Sequence, residues 1–122
     1  MTARVKERDA KLDEQCAVVA DLIVAMRPVC EAASPRQRAL LETIIGAGIW
    51  YIPKPPLAWT GCISLAALKA FHPESGLEKP RLSEEHVYPR KVAARLLLED
   101  AALDGAGLAR LFREKYGRVH LI

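Results

Sequence analysis

Asparagine is absent from this sequence, and histidine and cysteine occur three times each. No run of about 18 or more apolar residues is present, which excludes a membrane-spanning helix. The opening MTARVKERDAKLDEQ mixes both charge signs and has no apolar core, so it does not read as a signal peptide. Cys16, Cys30 and Cys62 are an odd set with no CxxC pair. That argues against a disulfide framework and a common zinc site, and for a reducing cytoplasm. All three sit among apolar residues and read as small core residues. No glycine-rich phosphate loop is visible, because Gly46 and Gly48 close a helical pattern and do not join a strand to a helix. Serine–histidine–aspartate catalysis has no nucleophile elbow to support it. The formal charge is only +3, from 18 Lys and Arg against 15 Asp and Glu, too small by itself to imply a polyanionic partner.

What is present is ordinary globular composition: 122 residues, 51% hydrophobic and 27% charged. This length encloses one modest core, so residues 1–122 read as a single domain. Three parts follow one another: a helical part at 3–50, a proline-rich connector at 51–62, and a helical and β part at 63–122. The pattern predicts a mainly α protein, a small helical bundle with a minor two-stranded β element near the C-terminus, with α+β as the alternative. The connector YIPKPPLAWTGC either packs through Trp50, Tyr51 and Trp59 or separates two lobes.

The first helix carries Leu12, Cys16, Val19, Ile23, Met26 and Cys30 in alternating steps of four and three. This seam suits either the domain's own core or a homodimer. Val18, Leu22 and Val24 widen the stripe, which favours a bundle. Pro28 is expected to kink or stop the helix near Arg27, since it lacks an N–H and its ring clashes with the Val24 carbonyl. Ser34 suits an N-cap and Pro35 the first helical position of a second helix, whose apolar face is Leu40, Leu41, Ile44, Ile45 and Ile49. Gly46 and Gly48 interrupt that face, marking either close approach of another helix or a frayed end. A short helix over 63–71 is expected to turn Leu65, Leu68 and Phe71 inward and to end at His72-Pro73. From Pro89 a further helix points Val92, Ala93, Leu96 and Leu97 inward until Asp104, Gly105 and Gly107 break it. A last helix carries Leu108, Leu111 and Phe112 and stops at Gly117. RVHLI then alternates as a strand, with LSEEHVY as its internal partner.

The most specific local pattern is Glu84-Glu85-His86-Val87-Tyr88-Pro89-Arg90-Lys91 followed by a helix. A carboxylate, a histidine, an aliphatic residue, a spacer, a proline and then a helix resembles the opening of the HNH, or ββα-metal, nucleases of phages and mobile elements. The resemblance covers about 15 residues. It implies Glu85 at a metal-ligand position and His86 as the catalytic general base, with a divalent metal ion as cofactor. The family also has an asparagine and a further histidine or asparagine downstream. The helix after Pro89 has neither, and Asp100, Asp104 and His120 are the substitutes nearby. Read from the residues alone, Ser83 caps a helical turn, or EEH lies on the outward face of a strand; either role needs no metal or other cofactor.

Two further groups are candidates. Arg81, Arg90, Lys91 and Arg95, extended by Arg110, Arg113, Lys115 and Arg118, form a phosphate-contacting patch for nucleic acid only if the fold segregates them from the acidic residues. Trp50, Tyr51 and Trp59, framed by Pro53, Pro55 and Pro56, suit partner anchoring. The expectation is a small non-catalytic, cytoplasmic binding protein that docks on a protein or nucleoprotein partner. A mobile-element inhibitor such as an anti-CRISPR protein matches its size. A metal-dependent HNH-like nuclease, or an inactive DNA-binding relative, is the alternative.

Overall fold

The computed structural model describes residues 3–72, 74, 76 and 82–122. The chain is mainly α with a small sheet. Its elements are α1 (Ala3–Ala32), α2 (Pro35–Trp50), β1 (Trp59–Ile63), α3 (Leu65–Ala70), β2 (Glu84–His86), α4 (Arg90–Glu99), α5 (Gly105–Leu111), a π-helical turn over Phe112–Tyr116, and β3 (Val119–Leu121). Among the described residues no helix is long and apolar enough to cross a membrane.

α1 buries Leu12, Cys16, Val19, Ala20, Ile23 and Cys30 against the other helices. The seam therefore lines the chain's own core and does not face another subunit. Val18, Leu22 and Val24, expected to widen that buried stripe, are instead exposed. Pro28 neither stops nor ends the helix, which runs on to Ala32. Interior proline costs about 3 kcal/mol, and packing on both sides of it outweighs that penalty: Ile23 and Cys30 are buried, and Arg27 is anchored. The Arg27 guanidinium donates from Nη2 to the Leu97 carbonyl at 3.3 Å and to the Asp100 carbonyl, closing the C-terminal end of α4.

α2 opens with a reciprocal cap. Ser34 Oγ accepts from the Gln37 N–H, and Gln37 Oε1 accepts from the Ser34 N–H. Ile45 and Ile49 face inward, but Leu40 and Ile44 are exposed and Leu41 is only partly covered. Gly46 marks a close approach: a Cβ there would stand 3.4 Å from Arg90 Cβ at the start of α4. α4 itself is rotated by one residue from the expected phase. Ala93, Ala94, Leu97 and Leu98 are buried, while Val92 and Leu96 are exposed. Two adjacent alanines let the helix axis come close to its neighbours, and the larger Val92 and Leu96 are turned out.

Asp104 caps α5 through a 2.7 Å bond from the Gly107 N–H, so these residues start a helix as well as end one. Gly105 lies directly on α1, where a Cβ would stand 2.9 Å from Ala17 Cα. In α3 only Ala67 is buried; Leu65, Leu68 and Phe71 are exposed, contrary to their expected inward face. The helix ends at Ala70, and Pro73 lies outside the described residues.

β2 and β3 form the expected antiparallel pair, with Glu85 opposite His120 and His86 opposite Val119. The sheet nevertheless has three strands, in the order β1-β3-β2, because β1 emerges from the connector and runs parallel to β3. The connector packs through Ile52, Pro55 and Ala58 rather than through its tryptophans. Pro55 presses on Gly117, where a Cβ would meet Pro55 Cδ at 2.8 Å. Leu57, 93% exposed, takes the left-handed conformation (φ 56°) that turns Pro56 toward β1. Cys62 is exposed, which corrects its assignment to the core, whereas Cys16 and Cys30 are buried as expected. Burial pushes the Cys16 thiol up to about 11.

Two substitutions test this packing. Gly105→Ala forces α5 away from Ala17 and is expected to destabilise by about 1–3 kcal/mol in denaturant unfolding. Arg27→Met keeps the apolar stem but removes the closure of α4, with an expected loss of about 1–3 kcal/mol. Unchanged midpoints for both would show that neither contact holds the helices in place.

Candidate functional site

The end of α2, the connector, β2 and the start of α4 meet at one cleft. Strand alternation places Glu84 and His86 on the same face of β2. Pro89, in an extended conformation (φ −53°, ψ 144°), turns the chain so that Arg90 is the first residue of α4. The close packing of Gly46 on Arg90 brings this helix start beside Trp50, four residues further along α2. The result is a cleft of ≈ 230 Å³ with Ile49, Ile52, Phe112 and Val119 as apolar lining and Trp50, Lys54, Glu84 and His86 as its aromatic and polar lining.

The Arg90 guanidinium carbon lies 3.9 Å from the Trp50 ring centroid. The indole and the His86 imidazole are 5.9 Å apart, tilted by 52°. Lys54 Nζ is paired with Glu84. Tyr88, just after β2, packs edge-on against Tyr116 at 5.4 Å and ties the strand to the core. Burial lowers the His86 pKa below its usual value; the Arg90 cation lowers it further, as does Lys54, while Glu84 opposes them. The imidazole is therefore neutral at pH 7, and the cleft carries two cations against one carboxylate. Chemically it offers an apolar floor, an indole face covered by a guanidinium, and a surplus of positive charge.

The other site residues expected from sequence are dispersed. Glu85 leaves β2 on the face opposite His86, so these two side chains do not converge on one ion position. It stands across from His120, whose Nδ1 is 3.0 Å from Thr60 Oγ1. Asp104 caps α5, and Asp100 accepts from the Ala102 N–H. Among the described residues no group of three His, Cys, Asp or Glu is placed to hold a metal ion. Tyr51 is exposed beside α1, and Trp59 donates its indole N–H to the Cys62 carbonyl at 2.9 Å. The three aromatics thus occupy separate places, with Trp50 alone in the cleft. Arg95 reaches the buried Glu42 at 3.4 Å, and Arg38 pairs with the same carboxylate. Arg113 is held by Asp9 and Asp13. Of the proposed basic patch, Arg90 joins the cleft, Lys91 is exposed, and Arg81 lies outside the described residues. Lys54 was not singled out from sequence. For Glu84 the signal in the sequence is its i, i+2 spacing to His86 along a strand.

Comparison with protein-family models, with curated proteins and with solved structures gives no match.

The charges around His86 have testable signs. Its resonances in an NMR titration should give a midpoint below 6.5, which moves up in Arg90→Gln and down in Glu84→Gln. Since the unfolded chain takes up this proton first, His86 makes stability fall as pH drops from about 6.5 through the folded midpoint. A midpoint at or above 6.5, or shifts of the opposite sign, would contradict the described geometry.

Proposed function

We propose that the chain is a non-catalytic binding module that docks through the Trp50 cleft on an acidic segment of a partner protein, alone or within a nucleoprotein. The observation that carries this reading is Arg90 stacked on Trp50 at the rim of an apolar cleft. Tryptophan and arginine dominate the energetic centres of protein interfaces. Stacking pre-orients the guanidinium, so less side-chain freedom is lost when a carboxylate arrives. Lys54 already holds Glu84, which leaves Arg90 as the cleft's cation without a carboxylate partner among the described residues. The mobile-element inhibitor, including the anti-CRISPR class, is the specific form of this proposal for a nucleoprotein target.

Selection of a displayed random peptide library on the chain tests it. Enriched peptides should contain Asp or Glu. Their affinity should fall about tenfold or more for Trp50→Ala and for Arg90→Glu, each about 1.4 kcal/mol or above. Both positions are exposed, so circular dichroism should be unchanged. Peptides without acidic residues, or peptides that bind both variants as tightly as the parent chain, would reject the assignment.

A further inference from the structure

The surface around Trp50 continues beyond Lys54. That lysine also lines a second depression, with Arg8 and Asp9 of α1 and Pro55 and Pro56 of the connector. Arg8 in turn lines a third, with Arg4, Glu7 and Lys11. The shared walls at Lys54 and Arg8 join the three into one track, from the start of α4 past the connector to the first turns of α1. Arg4, Arg8 and Lys11 stand at i, i+4 and i+7, on one side of the helix. All three are exposed, and none has an ion pair among the described residues. Asp9 is engaged by Arg113 and Glu84 by Lys54. In the third depression three cations therefore stand against one carboxylate, Glu7.

We infer that the whole track takes one extended acidic segment of the partner protein, with one end in the Trp50 cleft and the other over Arg4, Arg8 and Lys11. This rests on the assignment of the cleft to an acidic segment, and adds the segment's length and charge pattern. The two ends call for carboxylates, because each presents cations without anionic partners. The stretch between them does not: Pro55 and Pro56 offer ring carbons and no N–H, which suits apolar or neutral residues. Arg4 and Arg8 are one turn apart, about 6 Å along the axis. Two residues of extended chain span about 6.6 Å, so acidic residues at alternate positions meet successive arginines. A nucleic acid matches this surface less well. Its charge repeats at every nucleotide and would meet Glu7, Asp9 and Glu84 as well as the cations, whereas a peptide places charge only where cations stand. Binding at the cleft also raises the effective concentration of the segment's other end at α1.

A displayed random library of peptides about 12 residues long, some 40 Å when extended, tests this on the full chain. Enriched peptides should be acidic at both ends, with two or more acidic residues at one of them and a neutral middle. Fluorescence anisotropy then compares each peptide with a version whose more acidic end is replaced by serines. Exposed ion pairs contribute a few-fold each, so Arg8→Glu with Lys11→Glu should weaken the full peptide about tenfold or more and leave the serine version unaffected. Arg8→Gln with Lys11→Gln should show a smaller loss of the same kind, should the glutamates disturb α1. Trp50→Ala should weaken both peptides. Loss with Trp50→Ala but not with the α1 variants leaves the cleft assignment standing and overturns the track. Loss with the α1 variants but not with Trp50→Ala overturns both, as does a library that yields no binder. A 20-base-pair DNA duplex that binds more tightly than the peptides, and is weakened by Arg8→Glu with Lys11→Glu, assigns the α1 end to nucleic acid and likewise overturns the track.

Discussion

α1 is thirty residues long and no other element approaches its length, so its buried face has to be covered in pieces. α2, α4 and α5 each cover part of it. Two contacts decide where the pieces sit. At Gly105 the absence of a side chain lets the first turn of α5 rest on the α1 backbone at Ala17. At Arg27 the guanidinium gives a second donor to the Leu97 and Asp100 carbonyls, which also accept from the Asp100 and Leu103 N–H groups. One is a close approach and the other a cap supplied in trans. Together they determine where α4 ends and α5 begins, and hence the length of α4.

That placement reaches the cleft through α2. With the C-terminal end of α4 tied to Arg27, its N-terminal end falls on Gly46, and Arg90 arrives over Trp50. The electrostatics follow from position. Partial burial beside two cations keeps His86 neutral, because a third positive charge there would be poorly solvated and repelled. A neutral imidazole leaves the indole free to receive the guanidinium, and the cation–π contact contributes about 0.5–1 kcal/mol at such an exposed site. The cleft is thus a product of the bundle's geometry more than of the local EHVYP sequence.

Local signals in the sequence carried the features that local physics determines. Ser34 and Pro35 mark the start of α2 because capping acts within one turn, and the alternation of RVHLI and LSEEHVY marks β2 and β3 because both are short, regular and adjacent in the sheet. The features that were not readable depend on distant contacts. β1 is hidden by prolines and by Gly61, whose positive φ accompanies an irregular register, and its partner lies some sixty residues away. The phase of α4 is ambiguous in RKVAARLLLE because apolar residues almost encircle the helix, and the choice falls to whichever side chains permit the closest approach. Pro28 was a sound local stop signal overridden by tertiary packing. For the site, His86 and Trp50 were visible as residue types, but their juxtaposition with Lys54 required the connector's path.

The distribution of charge follows the same logic. A run of basic residues in sequence suggests a phosphate-binding stripe only while their partners are unknown. In the fold Arg113 bridges Asp9 and Asp13 across the α1–α5 side of the molecule, and Arg95 and Arg38 converge on buried Glu42. These pairs consume guanidinium groups that a polyanion would otherwise meet, and a phosphate would have to displace carboxylates already in place. Of the two cations at the cleft, Lys54 is paired with Glu84, whereas Arg90 is held against an aromatic ring. A cation so presented is directional, suited to a carboxylate accompanied by apolar surface rather than to the diffuse field of a nucleic-acid backbone. The same helix, α2, offers apolar residues on its opposite side. It thereby separates a charged, concave surface from an exposed apolar one.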